Sequence, residues 1–269
     1  MNFITLMYHD VAPRGAFATS GFAGADADLY KLATEDFNAH LNTIAQRAAH
    51  APVRVCDVDR KLEKREPRAN PPLMLTFDDG GASAHTIIAP MLEARGWRAH
   101  FFISTERINT PQFLSRKQIV DLHNRGHIIG SHSHTHPLRM AQLSPAHLAR
   151  EWETSVNILS NITGERVTVA SIPGGGFSIV VAETAAASGI ENLFTSEPVR
   201  RARSINGCTL FGRYAVQRRT SANQISDLIG ARNFARHRQY ALWNFKKVFK
   251  RVGGENFLKL RQFIIERGS

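Results

Sequence analysis

Two short stretches bring metal-ligating and proton-transferring side chains together. The first is Leu75-Thr76-Phe77-Asp78-Asp79-Gly80-Gly81, an apolar run ending in adjacent carboxylates and two glycines. The second is His127-Ile128-Ile129-Gly130-Ser131-His132-Ser133-His134-Thr135-His136-Pro137, a second apolar run ending in alternate histidines. Neighbours on a strand point to opposite faces, so Asp78 and Asp79 share a cavity only if the chain turns at the strand end. The glycines permit that turn. His132 and His136 lie roughly 13 Å apart on an extended chain, too far to bind one ion through bonds of about 2 Å. A shared ion therefore requires the chain between them to curl. Each stretch alone is a weak signal: Asp-Gly is a common turn, and an HxxxH spacing is unsurprising in a chain with 12 His. Joined, they make a three-ligand site with an open position for water. A second, unliganded Asp beside it can act as general base.

The elements that must position these residues follow from the pattern of apolar runs. Strands are expected at Asn2–Tyr8, Leu73–Phe77, Ala99–Ser104, His127–Ser131, Val167–Ile172, Asn192–Thr195 and Leu210–Ala215. Helices are expected at Thr34–His50, Ala84–Arg95, Arg116–Asn124, Ser144–Thr163, Ile179–Ser188 and Ser221–Gly230. Such alternation predicts parallel strands joined by crossover helices. Seven of them suit a closed or partly closed barrel, with the chemistry on loops at the strands' C-terminal ends. Ala12–Asp28 reads as a long loop and Arg60–Pro72 as an exposed connector.

The motifs resemble those of the polysaccharide deacetylases, the NodB-homology or family-4 carbohydrate esterases. Thr76-Phe77-Asp78-Asp79-Gly80 is similar to that family's first motif, and His132-Ser133-His134-Thr135-His136-Pro137 to its second. Leu6-Met7-Tyr8-His9-Asp10-Val11 is similar to an opening strand found in bacterial members. The resemblance runs from about Asn2 to Ala215 and implies an α/β fold, a distorted (β/α)7 barrel. It implies Asp78 as base, and Asp79, His132 and His136 as ligands of a divalent metal, with Zn2+ the default and Co2+, Ni2+ or Mn2+ able to replace it. The third motif departs from the pattern. In Ala170-Ser171-Ile172-Pro173-Gly174-Gly175-Gly176-Phe177 the proline is kept, but Ser171 stands where the family has the arginine that steers the base. Pro173, Gly174 and Gly175 are the expected substrate-binding positions, with the Gly174 N–H at the oxyanion. The family's C-terminal histidine acid is missing from Phe211-Gly212-Arg213-Tyr214-Ala215-Val216. Its acidic fourth motif is not evident in Phe194-Thr195-Ser196-Glu197-Pro198. His9, from the first strand, is the expected substitute acid, and His134 is expected to be a loop or supporting residue.

The resemblance thus implies N-deacetylation of an amino sugar in a glycan or glycan precursor of cell-surface polysaccharide synthesis. Hydrolysis of another amide, formyl or ester group, or an inactive glycan-binding barrel, are the alternatives.

Bulk properties bound this reading. The 269 residues, 43% hydrophobic and 21% charged, suit one large domain with an appendage. We divide the chain into a barrel at 1–230 and a basic, aromatic extension at 231–269, with helices expected at Leu242–Val252 and Glu255–Glu266. The formal charge of +11 favours anionic partners. The extension is expected to pack on the barrel and cover an open edge, with Lys246, Lys247, Lys250 and Arg251 facing outward; besides the N-acetylated glycan or lipid-linked sugar, an anionic membrane surface is a further partner that this basic face could take. Nucleic acid has charge alone in its favour. No leader-like or membrane-spanning run is evident, so the expected location is cytoplasmic, peripheral to the inner membrane. Cys56 and Cys208 make no metal motif and are expected as buried thiols.

Overall fold

The computed structural model describes residues 1–58, 71–230 and 234–245. The strands are β1 (Ile4–Tyr8), β2 (Val11–Ala12), β3 (Leu32–Ala33), β4 (Leu73–Phe77), β5 (His100–Ile103), β6 (Ile128–Ser131), β7 (Val169–Ser171), β8 (Asn192–Phe194), β9 (Arg203–Ile205), β10 (Cys208–Phe211) and β11 (Tyr214–Ala215). The helices are α1 (Ala25–Asp28), α2 (Thr34–Arg47), α3 (Ala89–Glu93, continuing a π-turn at Ala84–Ile88), α4 (Arg116–Asn124), α5 (Pro145–Thr163), α6 (Ile179–Ala187) and α7 (Ala222–Ile229). Each strand and helix expected within the described barrel is present, with ends shifted by a few residues. The pieces not foreseen are β2, β3, β9 and α1, which are too short to carry a periodicity; α1 interrupts Ala12–Asp28, expected to be loop throughout.

Nine strands form one curled sheet in the order β11-β1-β4-β5-β6-β7-β8-β10-β9. All neighbours are parallel except β9, which runs antiparallel to β10. This is the expected distorted barrel, with one correction. Leu210–Ala215 is not a single strand. β10 pairs with β8 and β11 pairs with β1, so the chain changes partners at Gly212-Arg213. Covalent continuity, rather than a hydrogen-bonded ladder, closes the ring. Gly212 is required there because a Cβ would lie 2.5 Å from the Glu197 carbonyl oxygen.

Strand parity sorts the side chains. Leu6, Tyr8, Leu75, Phe77, Phe101 and Ile103 pack outward with Phe37, Leu41, Leu92, Ile119 and Leu122 from the helices. Phe3, Met74, Phe102, Val169, Phe194 and Phe211 fill the barrel interior. Helix starts are capped as their sequences indicate: Ser144 accepts from His147 N ahead of Pro145, and Ser115 with Gln118 and Ser221 with Gln224 form capping boxes.

Residues 234–245 are helical, so a helix is already established where one was expected only from Leu242. Arg236 donates to the carbonyls of Leu228 at 2.6 Å and Gly230 at 2.8 Å, capping α7. Gln239 bonds both the N–H and the C=O of Ala215, at 3.0 and 2.9 Å, and so covers the edge of β11. The helix expected at Glu255–Glu266, most of Leu242–Val252, the outward lysines and most of the 60–72 connector lie outside the described residues. Cys208 is buried as expected, but Cys56 is exposed. It lies in a tight turn at Val55–Asp57, where Val55 is the residue that fills the interior.

Candidate active site

The same parity that fills the interior delivers the site. Met74 and Thr76 face inward on β4, so Asp78, two residues on, enters from its end. By the same count His9 continues Phe3, Thr5 and Met7, His132 follows Gly130, Ser171 follows Val169, and Arg213 follows Phe211. Asp79 has the wrong parity and is rotated in by a left-handed backbone at φ 76°. That turn is held from outside, since Ser104 N donates to Asp79 O at 3.3 Å and Leu114 N to Gly80 O at 3.0 Å.

The chain between His132 and His136 does curl. Ser133 and His136 are left-handed at φ 63° and 59°, and His136 N donates to Ser133 Oγ at 3.1 Å. Glu151 of α5 clamps the loop, accepting from the N–H groups of His134 and Thr135 at 2.9 Å each and from Thr135 Oγ at 2.7 Å. His134 Nδ1 lies 2.9 Å from Thr105 Oγ, a supporting contact rather than a ligand position.

Asp79, His132 and His136 converge as a consequence. Asp79 Oδ1 lies 3.4 Å from His132 Nε2 and 3.3 Å from His136 Nε2. A tetrahedral ion with bonds of about 2.0–2.1 Å has ligand edges of about 3.3–3.4 Å, so the cluster fits a small divalent cation. Asp79 Oδ1 is also buried without a hydrogen-bond partner among the described residues, as suits a metal-ligating oxygen. The second nitrogen of His132 is fixed by Ser171, with Oγ at 2.6 Å and the carbonyl at 3.2 Å, which aims Nε2 at Asp79.

Asp78 stands beside this cluster in a different environment. Arg213, fully enclosed, grips it through two bonds, Nη1 to Oδ1 at 2.6 Å and Nη2 to Oδ2 at 2.8 Å. The guanidinium is itself fixed by Thr195 O at 3.0 Å and Thr76 Oγ at 3.2 Å. Ser171 Oγ reaches Asp78 Oδ1 at 3.3 Å. Burial alone would raise the pKa of Asp78, but the charges of Arg213 and His132 outweigh it and hold the carboxyl below the usual range. Asp79 is buried too, and the two imidazoles facing it hold it well below that range.

Ser171 therefore does stand where the family has an arginine, but an arginine still reaches Asp78, the expected base, from the break between β10 and β11. The motifs place an arginine in the third motif and a histidine in Phe211–Val216, so Arg213 falls under neither. The inward parity of Phe211 was the signal that pointed to it. Glu197 does not touch Asp78; it pairs with Arg203 at 2.7 Å.

His9 is partly buried, its ring 4.6 Å from Tyr30, with Nδ1 enclosed and unpartnered among the described residues. It lies near enough to Asp78 and Asp79 to lower the pKa of both. Phe22 covers His136, with ring centroids 4.8 Å apart. Both aromatic rings come from the connection between β2 and β3. Buried Asp10 anchors that loop through Ser20 Oγ at 2.5 Å and Ser83 Oγ at 2.7 Å. Pro173, Gly174 and Gly175 form one tight turn after β7, with Gly174 at φ 61° against the carbonyl of Leu138.

The chain is similar to proteins already known. Residues 65–193 match the family model described as polysaccharide deacetylase. YxkH of Bacillus subtilis (strain 168), a polysaccharide deacetylase by name, is 26% identical over 160 residues, 59% of this chain and 55% of its own length. The chain spans about half or less of the sequence relatives it matches, and only 4% of a gellan lyase from Bacillus. Among solved structures, the Streptococcus pyogenes deacetylase PplD in complex with acetate superposes with a TM-score of 0.72 at 20% identity, covering 85% of this chain and 98% of that one. IcaB from Ammonifex degensii gives 0.69 at 18% identity, covering 86% and 97%. At these identities the structures establish the fold.

Proposed function

We propose that this chain, a hydrolase of the polysaccharide deacetylase type by its family match over residues 65–193, removes the acetyl group from an N-acetylated amino sugar of a glycan or glycan precursor. The observation that carries the reading is the Asp79–His132–His136 cluster beside an ion-paired, buried Asp78. Asp79, His132 and His136 would hold a divalent ion, for which Zn2+ best suits the donor set, with Co2+, Ni2+ or Mn2+ as substitutes. Such an ion, when bound, polarises the acetyl carbonyl and makes water a competent nucleophile near neutral pH.

The chain's own residues supply the rest. Asp78 stays ionised beside Arg213 and accepts the proton of the attacking water. We assign the N–H of Gly174 to the developing oxyanion. An amine is a poor leaving group as an anion, so it must receive a proton, and His9 is the group we assign to this step. Pro173 and Gly175 shape the turn that presents Gly174 to the sugar. Arg213 reaching Asp78 supplies the base-holding arginine that the altered third motif lacks, which favours a hydrolase over the inactive glycan-binding barrel.

We further assign the chain to surface-polysaccharide assembly, with a lipid-linked sugar as one form of substrate. The 231–269 extension would serve as a basic contact to an anionic membrane, and the location would be cytoplasmic and peripheral to the inner membrane. No helix among the described residues is long and apolar enough to cross a membrane.

The test is acetate release from a panel of N-acetylated sugars, oligosaccharides and lipid-linked glycans. Chelation is expected to abolish it and Zn2+ to restore it. His9→Ala is expected to keep the ion and lose turnover together with the high-pH limb of the rate profile. A fully metal-loaded protein that releases acetate from none of the panel would refute the reading and leave the inactive, glycan-binding alternative.

A further inference from the structure

Ser171 lies on β7, between β6 and β8 in the sheet, and is fully enclosed. Its Oγ is 2.6 Å from His132 Nδ1 and 3.3 Å from Asp78 Oδ1, and its carbonyl oxygen is 3.2 Å from the same Nδ1. One side chain thus stands between the carboxylate held by Arg213 and a histidine of the metal-ligand cluster.

The distances fix the direction of each bond. A carbonyl oxygen only accepts, so Nδ1 carries a hydrogen, which it shares between the carbonyl and Oγ. The proton of the hydroxyl is then left for Asp78, whose carboxylate only accepts. The chain runs from His132 Nδ1–H to Ser171 Oγ–H to Asp78 Oδ1. His132 Nε2 is turned toward Asp79 Oδ1, 3.4 Å away. Hydrogen bonds in series in an enclosed site polarise one another, so what happens at either end is felt at the other.

An arginine could not make this link. A guanidinium has five N–H donors and no acceptor, so at position 171 it could grip Asp78 but could not receive the Nδ1–H. We propose that Ser171 is a positioning residue that couples Asp78 to His132, so that the placement of the base and the strength of the metal ligand are set together. Arg213 takes over the grip on Asp78, and the hydroxyl is free to join the two. This inference rests on the metal site assigned to Asp79, His132 and His136, and is independent of which acyl group the protein removes.

The experiment is the Zn2+ affinity of the full chain, by chelator competition, in the wild type and in Ser171→Ala, Ser171→Thr, Asp78→Asn and the Ser171→Ala/Asp78→Asn double variant. Ser171→Ala leaves Nδ1–H on the backbone carbonyl and Asp78 on Arg213, so no buried polar group is orphaned and the melting temperature should stay near the wild-type value. Its Zn2+ affinity should fall about 10-fold, the lower end for loss of a histidine's outer partner. Ser171→Thr keeps the hydroxyl and should restore it. Asp78→Asn removes a charge 3.9 Å from His132 Nε2 and should weaken binding in either background. The loss should be larger by about three-fold or more where the hydroxyl is present. Additive losses, or wild-type affinity in Ser171→Ala, would overturn the coupling and leave the metal site standing. A wild type that binds no Zn2+ would refute the metal site and the coupling with it.

Discussion

Asp78 and Arg213 form a salt bridge with both partners enclosed, at 4% and 0% exposure. Such a pair contributes little net stability, but removing one partner strands a buried charge at a cost of about 3–5 kcal/mol. Arg213→Met is therefore expected to destabilise the fold by that order, read from denaturant unfolding. Below its melting range the variant should retain the ion, since Arg213 touches none of Asp79, His132 or His136. Its kcat should fall while KM stays near the wild-type value, because the guanidinium positions the base without reaching substrate. Arg213→Lys keeps the charge but loses the fork and should recover only part of the rate. A methionine variant with wild-type kcat would show that Asp78 needs no such partner.

Single elements carry the second tier of control. α5 supplies Glu151, and its three hydrogen bonds hold the loop that curls His136 back toward His132. Glu151→Ala leaves the ligands untouched yet releases their loop, so affinity for the ion should fall about 10–100-fold, measured by chelator competition. An unchanged affinity would mean that the left-handed turns at Ser133 and His136 hold by themselves. β5 carries His100, buried between Val55 N, which donates to its Nε2 at 2.9 Å, and Leu75 O, which accepts from Nδ1 at 3.0 Å. Burial pushes its pKa down to about 4 from 6.5. The folded state thus takes up this proton later than the unfolded one. The stability tied to neutral His100 is complete above pH 6.5 and is lost as pH falls from 6.5 to 4, by about 3 kcal/mol. His127, also pushed to about 4, adds a loss of the same sign. Unfolding free energies between pH 4 and 8 should show this slope, and His100→Gln should remove its share; an identical slope in the variant would refute the assignment.

For the whole molecule, the decisive feature is how the ring closes. β10 and β11 are one stretch of chain that leaves β8 and joins β1, and the step between them places Arg213 inside. The edge this creates at β11 is covered by Gln239, while Arg236 caps α7. The barrel assigned to 1–230 therefore borrows cover from the segment after it. A chain ending at 245 is expected to melt above one ending at 230. The difference should be several degrees, since about 1 kcal/mol corresponds to about 2–4 °C in a domain of this size. Equal melting temperatures would make 1–230 self-sufficient.

Sequence by itself determined the order and type of the main elements, because apolar runs, caps and helix-ending glycines are local signals. It also singled out the two motifs expected to hold an ion, and a shared ion required that the chain between His132 and His136 bend. Their convergence is tertiary. It depends on a left-handed Asp79, on Glu151 reaching across from α5, and on Ser171 orienting His132 from the neighbouring strand. The arginine shows the difference most clearly. Parity from Phe211 turns Arg213 inward, but its role exists only once β10 and β11 close the barrel and face it toward Asp78. Spacing along the chain is legible in one dimension; which side chains share a buried volume depends on strand partners far apart in sequence, and only the packed barrel decides it.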